Sequence, residues 1–410
     1  MRFDEAVQYL LSLGHETLAI KLGLRNTELL LAALNNPERS FKVVQIAGTN
    51  GKGSTAAMLD AFCRAAGIRS GLYTSPHLVS VIERIRIAGA EITADEFARH
   101  ATTVRTVAEE LVSRKQIEAL PTFFEQLTAI ALLAFREARV NLAILETGLG
   151  GRLDATTAAN ASIVGITPIA MDHEEYLGDT LASIASEKAA IIRPGVTAII
   201  AEQSPEALAV LLARCAEVGV QPSLEGNTDF LENVRLSLRG RHQIQNALVS
   251  IRVAQALGIS DAAIIRGLET TKHAGRLELI PPFLLDGAHN PAGAQALRVY
   301  LEELNHRPLT LIFGAMRDKK LKRIGEVLFP LPERLILTTI DNPRGAPVET
   351  LVPLAREYCR GEVLTAESSA AAVRTAIAET PRDGLICVTG SLYLIGETRP
   401  LILNLVKQTA

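Results

Sequence analysis

The stretch KVVQIAGTNGKGSTAAMLDAFCRAAG, residues 42–67, decides the fold. Lys42 to Ala47 is a short apolar run with β-branched residues, the pattern of a buried strand. It passes directly into the glycine-rich segment Gly48-Thr49-Asn50-Gly51-Lys52-Gly53-Ser54-Thr55 and then into an amphipathic helix that stops at Gly67. In a strand, loop and helix of this kind the glycines let the backbone aim N–H groups at phosphate oxygens. The helix N-terminus adds the positive end of its dipole, Lys52 adds a point charge, and Ser54 stands where a phosphate-bound Mg²⁺ would meet a hydroxyl. The segment is a variant of G-x-x-x-x-G-K-[ST]: Ile46 occupies the place of the first glycine, and Gly53 intervenes between lysine and serine.

Outward from this point, short apolar runs alternate with longer helical stretches, the rhythm of a mostly parallel sheet covered on both faces, so the fold class is α/β. Further strands are expected at NLAILE from Asn141, ASIVGIT from Ala161 and VTAIIA from Val196. Thr93 with Glu96, and Thr122 with Glu125, have the spacing of a capping box and mark helix starts. A second rhythm follows the polar stretch around Lys272 to Pro282, with strands near Phe283, Leu309, Arg334, Val363 and Gly384. The expected organisation is a phosphate-loop domain with N-terminal helices over residues 1–275 and a smaller Rossmann-like α/β domain over 276–410.

The composition narrows the function. A chain of 410 residues, 48% hydrophobic, can bury two cores, and its formal net charge of −3 offers no basic footprint for nucleic acid. No apolar run approaches the length of a membrane span, and the N-terminus mixes acids into its short apolar run, so neither a membrane nor export is expected. Cys63, Cys215, Cys359 and Cys387 are scattered singly, which fits a reducing cytoplasm and excludes thiol zinc chemistry. A monomer is the default expectation.

Ligands of open α/β sheets sit beyond the carboxyl ends of the strands, which gives weight to two segments. NLAILE ends in Glu146, followed by Gly148-Leu149-Gly150-Gly151-Arg152, and the strand near Ala161 is followed by Asp172-His173. Singly, Glu146 reads equally as a cap or surface acid and His173 as a structural histidine; together beside a phosphate loop they suit a divalent cation. The segment Asp179 to Ile192 places Lys188 on its apolar stripe of Leu181, Ile184, Ala185, Ala189 and Ile192. Such a lysine snorkels, pairs with an acid such as Glu187 or Glu174, or is chemically altered.

Taken together, these residues make the sequence resemble the folylpolyglutamate synthase and dihydrofolate synthase family, a branch of the Mur-type ligases. The resemblance runs through AGTNGKGST at Ala47, GLYTSPHL at Gly71, ERIRIAG at Glu83, TFFEQLT at Thr122, ETGLGGRLDAT at Glu146 and MDHEEYLGDTLASIASEKAAII at Met171. It continues through GRHQIQNA at Gly240, AGRLE at Ala274, DGAHNPAG at Asp286, MRDKK at Met316 and TGSLYLIGE at Thr389. The resemblance implies that Gly51, Lys52, Gly53 and Ser54 hold the ATP phosphates and that Ser75, Glu146 and His173 join Ser54 on Mg²⁺. It implies that Lys188 is carbamylated into an anionic metal ligand and that Asn246, Arg276 and Asp286 contact the nucleotide. His289 falls where the amino-acid substrate approaches, and Thr122, Phe124, Glu125 and Arg152 lie in segments associated with the pterin-bearing substrate. The implied reaction joins L-glutamate to dihydropteroate or a reduced folate through an acyl phosphate, with the second domain closing Asp286 and His289 over the nucleotide. The segment from Leu13 to Asn26 could bear on pterin binding.

Thr157 stands where the family often has Asn, Ala190 where Gly is common, and His273-Ala274-Gly275-Arg276 where Pro-Gly-Arg is usual. These departures touch pterin-side specificity rather than the reaction class. Two other readings are weaker. A peptidoglycan-precursor ligase is expected to carry a further domain ahead of the phosphate loop, for which Gly48 leaves no room. A non-catalytic nucleotide-binding protein would have no need to keep Lys188, His289 and the DGAHN stretch together.

Overall fold

The computed structural model describes residues 1–14, 23–224, 228–231 and 234–409, so most of the Leu13 to Asn26 segment, residues 15–22, lies outside the described residues. The chain forms two compact units: the first comprises 1–169, 173–237 and 245–271, and the second comprises 170–172, 238–244 and 272–410. The second unit thus takes in two short upstream pieces as well as the C-terminal third of the chain.

In the first unit the strands are β1 (Lys42–Ala47), β2 (Ser70–Tyr73), β3 (Ile85–Ile87), β4 (Ala90–Glu91), β5 (Leu142–Glu146), β6 (Ile163–Ile166), β7 (Thr197–Ile200) and β8 (Ser223–Leu224). Among the described residues they form one sheet in the order β4-β3-β2-β5-β1-β6-β7-β8. The run from β2 to β8 is parallel, while β3 and β4 join antiparallel at one edge. Parallel central strands are covered on both faces and therefore read as continuous apolar runs, which is why KVVQIA and NLAILE were legible. Val44, Ile46, Ala143, Ile144 and Leu145 are fully buried, as are Phe62, Phe97 and Phe135 from the covering helices.

In the second unit the strands are β9 (Glu278–Ile280), β10 (Phe283–Leu285), β11 (Leu309–Phe313), β12 (Arg334–Thr338), β13 (Glu362–Ala366) and β14 (Leu385–Thr389). Their order is β13-β12-β11-β14-β10-β9, parallel except for β9. Phe313 from the sheet and Phe329 from beyond the helix Leu321–Leu328 meet edge to face with centroids 5.0 Å apart at the centre of this core.

Both capping boxes are formed. The Thr93 hydroxyl accepts from the Glu96 amide at 3.2 Å, and the Glu96 carboxylate accepts from the Thr93 amide at 2.8 Å, opening the helix Ala94–Ser113. Thr122 and Glu125 do the same for the helix Phe123–Glu137. Thr93→Ala is expected to cost about 1 kcal/mol at pH 7 in chemical denaturation. The amide and hydroxyl of Thr93 hold the Glu96 carboxyl below its ordinary range. That contribution is present above the unfolded carboxyl pKa and lost as pH falls through the lower folded value. The stability difference between wild type and Glu96→Gln should therefore be full near neutrality and fade below about pH 4.3.

Candidate functional site

The phosphate loop leaves β1 between two parallel neighbours. Ile46 is in register with Glu146 of β5, and Ala47 with Ile166 of β6, so the loop, Glu146 and Thr167 emerge at the same edge of the sheet. The amides of Thr49 and Asn50 donate to the Pro168 carbonyl at 3.1 and 3.3 Å, which pins the loop to the chain leaving β6. Gly51, with φ of 87°, precedes the helix Lys52–Ala65, and a Cβ built there would lie 1.9 Å from Oδ1 of Asn246. The glycine thus allows the amide side chain of Asn246, on the helix His242–Ala256, to lie directly against the loop. Lys52 Nζ donates to the Thr49 carbonyl at 3.2 Å, and Ser54 is buried in the first turn of the helix, where N–H groups lack helical partners.

Glu146 is buried and accepts from the backbone amide of Ser75 at 3.1 Å. The chain around Ser75 is itself held from downstream: Glu83 accepts from the amides of Leu78, Val79 and Ser80, and Arg84 Nε donates to His77 Nδ1 at 2.8 Å. Because a guanidinium cannot accept, His77 carries its ring proton on Nε2.

The glycine segment after β5 gathers the remaining candidates. A Cβ on Gly148 would strike the Phe124 ring at 2.6 Å, and one on Gly150 would touch Leu177 of the short helix Glu174–Leu177 that His173 caps. One on Gly151 would lie 2.8 Å from the Glu187 carbonyl and 3.3 Å from Lys188 Cα. Three glycines therefore let Phe124, the helix following His173 and the Lys188 backbone close on one loop. Asp154 shapes that loop, accepting from the amides of Gly148 and Leu149 at 2.9 Å each and of Thr156 at 3.0 Å; burial nevertheless pushes its carboxyl above the ordinary range. Thr157 donates to the Gly151 carbonyl at 2.7 Å and accepts from Gln45 Nε2 at 2.8 Å. Neither Gln45 nor Asp154 was singled out from the sequence, although a glutamine inside an apolar strand was a signal that it serves a polar layer.

Lys188 is 5% exposed, as its place on the apolar stripe required. Glu187 accepts from Arg152 Nε at 2.8 Å. Glu125 is also committed: its two oxygens accept from the Thr122 amide at 2.7 Å and the Thr27 hydroxyl at 3.0 Å. Phe124 is the apolar member of that segment, its ring 5.8 Å from that of Tyr73. Among the described residues no group of three or more His, Cys, Asp or Glu side chains is poised for a metal. The expected donors are of another composition, namely the hydroxyls of Ser54 and Ser75, one carboxylate, one imidazole and Lys188. A hard, oxygen-rich set of this kind fits Mg²⁺ chemically.

In the second unit, Asp286 follows β10 and accepts from the amides of Leu277 at 2.9 Å and Ala288 at 3.0 Å. Burial raises its carboxyl, and the neighbouring Arg276 and His242 oppose that rise. His289 Nδ1 lies 2.7 Å from the Gly287 carbonyl, which can only accept, so this nitrogen carries a proton.

The C-terminal part of the chain, residues 275–392, matches the family model for the Mur ligase, glutamate ligase domain. The chain is 35% identical to the probable bifunctional folylpolyglutamate synthase/dihydropteroate synthase of Halobacterium salinarum, with 97% of this chain and 51% of that protein covered. It spans about half the length of that relative. It is 32% identical to the dihydrofolate synthase/folylpolyglutamate synthase of Bacillus subtilis, with 94% of this chain and 96% of the relative covered. A solved structure of Mycobacterium tuberculosis folylpolyglutamate synthase complexed with ADP superposes with a TM-score of 0.90 at 31% identity, covering 98% of both chains.

Gly51→Ala tests the loop. The new methyl group must displace Asn246 and strain the backbone, so ATP affinity measured calorimetrically should fall at least about tenfold, with the circular dichroism spectrum unchanged.

Proposed function

Because this chain belongs to the folylpolyglutamate synthase/dihydrofolate synthase family, we propose that it is an ATP-dependent ligase that joins L-glutamate to the carboxylate of a pteroate or folate. The observation that carries this reading is the sheet edge of the first unit. There a phosphate loop, the Ser75-bound Glu146 and the glycine segment backed by buried Lys188 converge on adjacent strands.

In the proposed reaction the pteroate or folate carboxylate attacks the γ-phosphorus of ATP, forming an acyl phosphate and releasing ADP. The glutamate amine then attacks the acyl carbon, a C–N bond replaces the C–O bond to phosphate, and the amine loses its proton. Lys52 and the N–H groups of the first helical turn bind phosphate oxygens and lower the cost of moving charge onto the leaving ADP. Ser54, Ser75, Glu146 and His173 would hold Mg²⁺, which when bound offsets the negative charge of the phosphates. Addition of CO₂ to the neutral Lys188 amine with loss of a proton would make an anionic oxygen ligand for the metal.

Asn246, Arg276 and Asp286 are assigned to the nucleotide and His289 to the incoming amino acid. Phe124 is assigned to the pterin-bearing substrate, with Thr122, Glu125 and Arg152 shaping the same segments. No helix among the described residues is long and apolar enough to cross a membrane. Together with four free thiols, this favours a protein working in the cytoplasm on small molecules.

The purified protein, given ATP, Mg²⁺ and glutamate, should release ADP only when an acceptor is added. Offering dihydropteroate and a reduced folate separately assigns the acceptor. Lys188→Ala should lower this glutamate-dependent turnover by at least about a hundredfold, or about 2.7 kcal/mol of transition-state stabilisation. Undiminished turnover in that variant would overturn the role given to Lys188.

A further inference from the structure

Beside His289 the second unit contains a buried polar cluster, Lys319, Asp172 and Asn290, to which the proposed mechanism gives no role. Lys319 Nζ lies 2.8 Å from Oδ1 of Asp172, with side-chain exposures of 9% and 7%. Oδ2 of the same carboxylate accepts from Asn290 Nδ2 at 3.0 Å. The Asn290 amide cannot turn over, because its Oδ1 caps the helix Pro291–Leu304 by accepting from the Gly293 amide at 2.8 Å. That same Oδ2 of Asp172 faces His289 Nε2 at 3.6 Å. His289 is thus bounded at both ring nitrogens, Nδ1–H by the Gly287 carbonyl and Nε2 by a carboxylate that is itself fixed at both oxygens. Asp318 lies 3.9 Å from Lys319 Nζ and is itself held by Arg344 at 3.1 Å.

A buried ion pair is a poor device for stability alone, since an apolar pair of similar volume serves a core as well or better. What the ion pair provides here is orientation. Lys319 occupies Oδ1, so the carboxylate turns a single, fixed oxygen toward the imidazole. We propose that Asp172 and Lys319 are positioning residues that act through His289, fixing the orientation of its ring and with it how Nε2 meets the incoming glutamate. The inference rests on the ligase reading for the substrate and on the geometry for the positioning.

Lys319→Ala alone would take a cation from a buried carboxylate and risks unfolding the unit. The decisive variant is therefore the charge-free pair Asp172→Asn with Lys319→Met, compared with Lys319→Arg, His289→Ala and the triple variant. The pair should fold with a Tm close to wild type and lose about thirtyfold in kcat/KM for glutamate, mostly through KM, with KM for ATP changed less than about twofold. Lys319→Arg should retain most of the activity. In the His289→Ala background the pair should cost no more than about a further twofold, because a residue acting through His289 has nothing left to act on. Losses that multiply with those of His289→Ala, or that fall equally on ATP, would overturn the proposal. A second readout needs no turnover. In long-range ¹⁵N–¹H spectra of histidine-labelled protein, with 8 histidines to assign, the ring ¹⁵N and ¹H signals of His289 should shift between wild type and the charge-free pair. Unchanged imidazole signals would refute the positioning role. Absence of glutamate-dependent turnover in wild type, by contrast, would refute the ligase reading and leave the spectra to decide the positioning.

Discussion

The parallel pairing of β1 between β5 and β6 is the constraint on which the first unit's chemistry depends. In a parallel sheet every strand delivers its carboxyl end to the same edge, so pairing fixes which loops become neighbours. With Ile46 opposite Glu146 and Ala47 opposite Ile166, a carboxylate and the chain leading toward His173 each arrive one strand spacing from the phosphate loop, on either side of it. A slip of one residue would exchange the faces of β1 and turn Gln45 away from the hydroxyls of Thr156 and Thr157, to which it donates at 2.9 and 2.8 Å. The polar bonds of a single buried glutamine thus help select the register that the loop requires.

In both units carboxylates are used to hold loops. Glu83, Glu146 and Asp154 in the first and Asp286 in the second all accept from main-chain N–H groups, and each holds a loop in place by doing so. Carboxylates serve this purpose because each offers several acceptor sites, and bonds to ionised groups are about twice as strong as neutral ones. Lys188 lies against a segment of three glycines, where helix and loop approach more closely than any side chain would permit.

How much of this was legible in the sequence depended on whether the signal was local. The strands at Lys42, Asn141, Ala161 and Val196 and both capping boxes appear where periodicity and spacing placed them, because a buried parallel strand and a helix start are written in five or six consecutive residues. The burial of Lys188 was legible for the same reason, as a helical stripe shows an interloper. The antiparallel strands β3, β4 and β9 were not, being two or three residues long with mixed exposure. Nor was the attachment of Asp172 to Lys319, 147 residues away, since neither residue carries a local mark of its partner. The commitment of Glu125 to Thr27 is of that kind too: its spacing from Thr122 announced a cap, and only the tertiary structure shows the second oxygen occupied as well.

The departures from the family pattern fall where the structure supplies a substitute. Thr157 is shorter than the asparagine often found there, yet its single hydroxyl both donates to the Gly151 carbonyl and accepts from Gln45, the two tasks needed to fix the glycine segment from below. Ala190 needs no glycine, because the helix Leu181–Ala189 ends with Ala190 at φ of −62°, a right-handed conformation open to any residue. In the turn before Arg276, the backbone reverses at Gly275 with φ of 68° and at Leu277 with φ of 46°, and the carboxylates of Glu278 and Asp286 accept from these two amides at 2.9 Å each. The conformation is thus held by acids on either side rather than by a proline ring. In each case the backbone path is kept by other means than the residue usual in the family.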